Sequence, residues 1–262
     1  MLLAVIIWIF TIAIVAVFVG KYWWFPAGIS EHAKGYDEQF MLTLMVTGVI
    51  FFLAQMALGW VIFRFRDRGG RASYSEGNNK MEVLWTVAAA VLFLGAVISS
   101  TKIWAGVHLS ENRPNALQVD VMAKQFAWSF RYAGPDGKFG KLDIKQINDA
   151  SGNPLGIDEK DPAGKDDIVS SVIRVPAGRP VHMTMRSRDV IHNFFVRELR
   201  MKQDIVPGME IPLRFQADVP GKYEVACSEL CGLGHHQMRS ELEVMPPDEF
   251  EKWLKAQQQP QQ

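Results

Sequence analysis

Three long apolar runs come first in this chain. Residues 1–20 carry no charge, and Lys21 ends the run. A second uncharged run covers Met41–Phe63 and closes in Arg64, Arg66, Arg68 and Arg71. A third covers Val83–Thr101, entered by Lys80 and Glu82 and left at Lys102. A helix of roughly twenty apolar residues can cross a bilayer. The pattern therefore predicts spanning helices at 1–20, 41–63 and 83–103. The first run has a second reading, a signal peptide. That reading wants a basic start and a small-residue cleavage site. Neither is evident before Lys21, so a retained helix is the reading favoured here. Tyr22, Trp23 and Trp24 follow Lys21 and read as an interfacial aromatic belt.

From Asn115 the period changes to two. Leu117–Ala123 alternates, and Phe126–Tyr132 alternates with aromatics on one face. Further strand-like runs fall at Val172–Val175, Val181–Arg186, Asn193–Val196, Leu213–Ala217, Gly221–Ala226 and Ser240–Val244. Gly and Pro punctuate them, at Gly134-Pro135, Pro176-Ala177-Gly178, Pro207-Gly208 and Pro220-Gly221. Many short strands at this spacing predict a sandwich or barrel. Residues 145–167 are rich in Gly, Asp, Asn, Pro and Lys and read as a long surface loop. Asp248–Lys255 reads as a short terminal helix, and the polar tail Gln257–Gln262 as disordered. The fold class is thus α plus all-β: a membrane anchor over 1–105, a β domain over 115–246, and a helix with a tail over 247–262.

Charge gives the direction of the chain. The loop between the second and third runs holds Arg64, Arg66, Arg68, Arg71 and Lys80 against Asp67 and Glu76. The loop between the first and second holds Lys21 and Lys34 against Glu31, Asp37 and Glu38. Basic loops stay in the cytoplasm, so everything after about Trp104 lies outside. In a bacterium that is the periplasmic side of the inner membrane, or the outer face of a single cell membrane. The whole chain has 28 basic and 28 acidic residues, which leaves no electrostatic signature for nucleic acid. Glu82 stands at the cytoplasmic mouth of the third run. It is either a solvated cap or a group that loads protons into a membrane pathway.

The chemistry is concentrated in residues 226–238. Cys227 and Cys231 are the only cysteines, His235 follows four residues later, and Met238 three after that. Two cysteines outside the cytoplasm commonly form a disulfide. Here that would close a very short loop, for which the entropic gain is small. It would also leave His235 and Met238 without a role. Soft thiolate, imidazole and thioether groups suit copper. A blue-copper site uses one Cys, so two fit a binuclear site in which both thiolates bridge two metals. A second His is then needed from His32, His108, His182, His192 or His236. His32 and His108 lie near the anchors, His182 alternates within an apolar strand, and His236 points away from its neighbour. His192, between two strand-like runs, is the best choice.

These residues resemble subunit II of the haem–copper cytochrome c oxidases. The matching pieces are C-S-E-L-C-G-L-G-H-H-Q-M at 227–238, D-V-I-H-N-F at 189–194, L-R-M-K-Q-D-I-V-P-G at 199–208, K-Q-F-A-W-S-F at 124–130 and M-E-V-L-W-T at 81–86. The resemblance implies a cupredoxin-like Greek-key β domain and a binuclear copper centre, called CuA. Cys227 and Cys231 would bridge the coppers, and His192 and His235 would cap them. Met238 and the Glu229 carbonyl would be weak ligands. The Glu229 side chain would reach a magnesium ion shared with subunit I, with Asp204 near that junction. Glu82 matches the family's glutamate at a proton-pathway entrance. Electrons would enter from a c-type cytochrome at Phe126 or Trp128 and leave to haem held only by subunit I. There oxygen is reduced to water and protons are pumped.

The chain departs from the pattern in three ways. It has an extra N-terminal helix. The aligned entry aromatic is Phe126 rather than Trp. Arg186, Arg188, Arg197 and Arg200 crowd a face that is acidic in the family. The expected donor is therefore not a strongly basic soluble cytochrome but a c-type domain held at the membrane by a partner complex. Three other readings compete: a nitrous or nitric oxide reductase domain, a quinol-oxidase subunit without copper, and a copper carrier. The membrane hairpin with Glu82 favours an oxidase over the soluble nitrous oxide enzyme, the intact ligand set argues against the copper-free subunit, and a rigid strand-loop site suits a carrier poorly.

Overall fold

The computed structural model describes residues 1–21, 24–71, 74, 76–109 and 113–258. Tyr22 and Trp23 of the expected aromatic belt lie outside these residues, as do residues 259–262 of the tail. The chain divides into two compact units, 1–26 with 35–103, and 27–34 with 104–262.

The first unit is helical. Helices α1 (Leu2–Gly20), α2 (Ala33–Arg64) and α3 (Asn79–His108) are each long and apolar enough to cross a membrane. The helices overrun the expected spans. At 32 and 30 residues, α2 and α3 extend for about 48 and 45 Å, against about 30 Å of hydrocarbon. Polar ends account for the difference, since hydropathy marks only the lipid-facing part. The start of α3 is set by Asn78, whose Oδ1 accepts from the Lys80 N–H at 3.1 Å. Glu82 sits exposed in its first turn, where the helix dipole favours a negative charge. The extra helix α1 packs on α2. Trp8 donates from Nε1 to the Met56 carbonyl at 3.3 Å. A Cβ added to Gly59 would lie 2.3 Å from that indole nitrogen. The indole fills the notch left by Gly59, and its one polar atom is satisfied where no water can serve it.

The second unit is a two-sheet sandwich. One sheet has the order β3-β2-β1-β5-β8, built from β1 (Leu117–Lys124), β2 (Ala127–Tyr132), β3 (Ile168–Ser170), β5 (Pro180–Ser187) and β8 (Ile211–Gln216). The other has the order β4-β10-β9-β6-β7, from β4 (Ile173–Pro176), β6 (His192–Val196), β7 (Met201–Ile205), β9 (Gly221–Cys227) and β10 (Arg239–Met245). Pairs β1–β5 and β4–β10 are parallel, and the other ladders are antiparallel. Val119, Val121, Phe130, Ile173, Val175, Phe194, Val225, Leu242 and Val244 fill the space between the sheets. Tyr132 ties them together: its hydroxyl donates to the Arg174 carbonyl and accepts from the Arg174 N–H.

Several sequence expectations change. Strands β3 and β7 alternate in burial, but their sequences do not show the alternation. Met201-Lys202-Gln203-Asp204-Ile205 buries only its ends, and the pattern alone does not mark it as a strand. Strand β6 begins one residue early, so His192 is its first member. The stretch 145–167 is more than a surface loop. Leu155 is buried, and the side chain of Asp167 is fully covered and holds Arg131 of β2. Arg131 also donates to the Gly140 carbonyl at 2.6 Å. This explains why β2 is buried on both faces despite its alternation. Residues 27–34 join the β unit, where Ile29 exchanges backbone bonds with Glu198 and Asp218. The terminal helix α4 (Pro247–Gln258) takes in two residues read as tail, because Phe250 is buried and Trp253 stacks edge-on to Tyr132 at 5.2 Å.

Candidate metal centre

The ends of β6 and β9 carry the site. His192 opens β6 and Cys227 closes β9, and the pairing of Phe194 with Cys227 brings these ends together. The loop after β9 then returns Cys231, a one-turn 3-10 helix at His235–Gln237, and Met238 at the start of β10. Backbone bonds close this loop: the Cys227 N–H donates to the Met238 carbonyl at 3.1 Å, and the Met238 N–H to His235 at 3.1 Å.

Among the described residues, one group of three His or Cys side chains can share an ion: His192, Cys227 and Cys231, with ligand atoms within 4.8 Å of one another. Both cysteines are free and buried, with their sulfurs 3.9 Å apart. Each sulfur has its own pair of neighbours. Beside Cys227 Sγ stand His192 Nδ1 at 3.9 Å and the Glu229 carbonyl at 3.2 Å. Beside Cys231 Sγ stand His235 Nδ1 at 3.5 Å and Met238 Sδ at 3.8 Å. Two atoms bound to one tetrahedral metal, sulfur at about 2.3 Å and nitrogen at about 2.0 Å, stand about 3.5 Å apart, and two sulfurs about 3.8 Å. The sulfur–sulfur, His235 and Met238 spacings lie within about 0.1 Å of those distances, and His192 stands about 0.4 Å further out. The donor set is soft and fits copper rather than a hard, oxygen-seeking ion.

The surroundings orient the ligands. His192 is fully buried, and its outer nitrogen Nε2 bonds Asp189 Oδ1 at 2.7 Å, which leaves Nδ1 to face the sulfurs. Burial works against the Asp189 charge, but bonds from the Gln125 N–H, His192 and the Val190 N–H outweigh it and hold the carboxyl below its usual range. Gln125 also donates from Nε2 to the Cys231 carbonyl at 2.5 Å. A further chain runs from Ser228 Oγ to Asn193 Oδ1 at 2.6 Å, and from Asn193 Nδ2 to Asp204 at 2.5 Å. Burial, with Cys227 beside it, pushes the Cys231 thiol up to about 11. A bound cation would reverse that preference and hold the thiolate.

The remaining sequence candidates fall as follows. His182 is half-buried in β5, and its Nδ1 has no partner. His236 is exposed next to the site, and His32 and His108 are half-buried outside this loop. Glu229 has an exposed side chain. Of the two entry aromatics, Phe126 is at the surface, 36% exposed, whereas Trp128 is 3% exposed and packed edge-on against His192 and Phe194. Trp128 therefore cannot meet a docking protein directly: inside β2 it packs against His192 and Phe194 of β6, whereas Phe126 lies in the β1–β2 turn, outside the strand. The crowd of arginines also reads differently. Arg186 pairs with Asp120 and Glu210, Arg188 with Asp149, and Arg197 with Glu198. These three charges are balanced locally, so no strongly basic field results. Sequence reasoning passed over Gln125, Asn193 and Ser228. The only available signal was their place beside ligands or the entry aromatic.

The family model for the cytochrome c oxidase subunit II periplasmic domain matches residues 117–245. The alternative cytochrome c oxidase subunit 2 of Bradyrhizobium diazoefficiens is 34% identical over 240 residues, 90% of this chain and 84% of the relative. Cytochrome c oxidase subunit 2 of Synechocystis is 30% identical over 248 residues, 88% of this chain and 75% of the relative. The crystallised periplasmic domain of subunit II of a Bradyrhizobium japonicum cytochrome oxidase is 26% identical and covers 55% of this chain and 95% of that one, with a TM-score of 0.40. With a soft-ligand site at the ends of two neighbouring strands of one sheet, in a chain that opens with three apolar helices, this chain belongs to the cytochrome c oxidase subunit II family.

Proposed function

We propose that the site holds a binuclear copper centre that accepts electrons from a c-type cytochrome and delivers them to haem in subunit I. The observation that carries this is the division of the ligands. Around a close pair of sulfurs, each sulfur has one imidazole and one weak donor at its side. A single copper has no use for both sets. Bound there, two coppers would share one electron and so exchange it with little rearrangement. Cys227 and Cys231 would bridge them. His192, His235, Met238 and the Glu229 carbonyl would complete the set. Asp189 holds the His192 ring in place, and burial among Trp128 and Phe194 excludes water from its inner side.

The finer assignments follow from the same reading. The exposed Glu229 carboxyl is free of the sulfurs and suits a magnesium ion at the subunit I boundary, with Asp204 nearby through Asn193 and Ser228. Electrons enter at Phe126. Leu230 and Leu233, 79% and 101% exposed on the metal loop, give the entrance an apolar rim. With the nearby arginines paired, docking is apolar and only weakly salt-dependent. That suits a c-type domain kept close by a membrane-bound partner. Residues 1–105 form the anchor in a bacterial inner membrane, with the copper domain on the periplasmic side and Glu82 at the entrance of a proton pathway. The test is copper content and spectrum of the purified chain. About two coppers per chain and an intense purple colour support the reading. One copper, or a disulfide with none, overturns it. The quinol-oxidase reading predicts none.

A further inference from the structure

We infer that Gln125 is a positioning residue for electron entry, the clamp that holds the entry aromatic and both metal-bearing segments as one body. This rests on the proposed copper function. The residue sits in the turn between β1 and β2, outside both strands. It makes two bonds in different directions. Its backbone N–H donates to Asp189 Oδ2 at 2.7 Å, and Asp189 Oδ1 holds His192 Nε2 at 2.7 Å. Its side-chain amide donates to the Cys231 carbonyl at 2.5 Å. His192 and Cys231 come from segments far apart in sequence, and this one residue reaches both.

The next residue completes the clamp. The Phe126 ring presses on the metal loop, so close that a Cβ on Gly234 would stand 2.4 Å from a ring carbon and one on Gly232 3.2 Å. A Cβ on Gly232 would also stand 2.8 Å from Gln125 Nε2. The loop is therefore stripped to glycine where residues 125 and 126 press on it. Gly232 has φ +137, which a side chain would strain in any case. The bonds also make a short route from ring to sulfur. It runs from Phe126 through one peptide to Gln125, across its amide to the Cys231 carbonyl, and down that residue to Sγ. A glutamine is suited to this place. It donates at every pH, whereas a glutamate would set a charge against the Cys231 carbonyl and offer it no proton at neutral pH.

Two variants test this in the full chain within its oxidase. Gln125→Ala removes the amide, and Gln125→Glu keeps the size but not the donor. The first measurement is hydrogen–deuterium exchange of residues 228–238 in metal-free protein. Loss of one such bond should speed it by about two- to tenfold in both variants. The second is the rate of electron entry from a photoreduced c-type donor, which should fall several-fold while the rate from copper to haem stays unchanged. A role in stability alone would not divide the two rates in this way. Unchanged loop exchange and unchanged entry in both variants would overturn the inference. The exchange measurement needs no copper. A chain that holds no copper pair but loosens its loop in the variants therefore refutes the proposed function and leaves the clamp standing.

Discussion

Replacing Gly234 with alanine isolates the contact between the entry aromatic and the metal loop. Gly234 has φ −91 and ψ 11, which alanine adopts freely, so the substitution carries no backbone penalty. Stiffening the unfolded chain should even add about 0.4–1 kcal/mol. Against this stands the Phe126 ring, whose three nearest carbons would lie 2.4, 2.7 and 2.8 Å from the new methyl. All are well inside van der Waals contact. Overpacking of this kind typically costs about 1–3 kcal/mol. Gly234→Ala alone should thus destabilise by about 1–2 kcal/mol, once the smaller gain offsets the larger loss. In a Phe126→Ala background the ring is gone and only the gain remains, so the sign reverses. The coupling between the two sites is then about 1–3 kcal/mol. Thermal unfolding of the metal-free β domain reads this as a fall in Tm of roughly 2–6 °C for the single variant. In the Phe126→Ala background the same change should raise Tm slightly. Equal destabilisation in both backgrounds would refute the packing of Phe126 on this loop.

Three further outcomes are expected. Copper uptake by the metal-free chain should weaken as pH falls, because the Cys231 proton, held with an affinity near 11, must leave first. That proton alone gives about tenfold in affinity per pH unit below its pKa; competition with a fluorescent copper chelator measures it, and a flat profile contradicts it. Arg131→Met should destabilise the β domain by about 3–5 kcal/mol, since it strands the covered carboxyl of Asp167 and removes one partner of Asp120; denaturant unfolding gives the value, and a loss below about 1 kcal/mol would show the pair to be dispensable. Helix α1 should remain in the mature subunit, because Trp8 locks it to the Gly59 notch; intact mass of membrane-purified protein tests this, and a mature chain starting after Gly20 would contradict it.

The legible part of this sequence was whatever repeats or clusters. Three uncharged runs gave three helices, and most alternating stretches became strands within a residue or two. The run from Cys227 to Met238 could be read as a site because five of its groups lie within twelve residues. His192 needed an argument from fold, since only the β6–β9 ladder brings it beside Cys227. What stayed hidden depends on contacts between distant segments. Nothing in the pattern of 145–167 says that Asp167 covers Arg131, and nothing in 124–127 says that Gln125 reaches the Cys231 carbonyl. The arginines near the site looked like a basic field because sequence shows charges but not their partners. Trp128 looked available because an aromatic stripe reads alike from either face.

In the proposed centre two coppers share one electron between Cys227 and Cys231. Electron paramagnetic resonance of the copper-loaded chain tests it most directly. The expected signal is a hyperfine pattern from an electron spread equally over two copper nuclei, absent in Cys227→Ser. A pattern from one copper nucleus alone in the unaltered chain would contradict it.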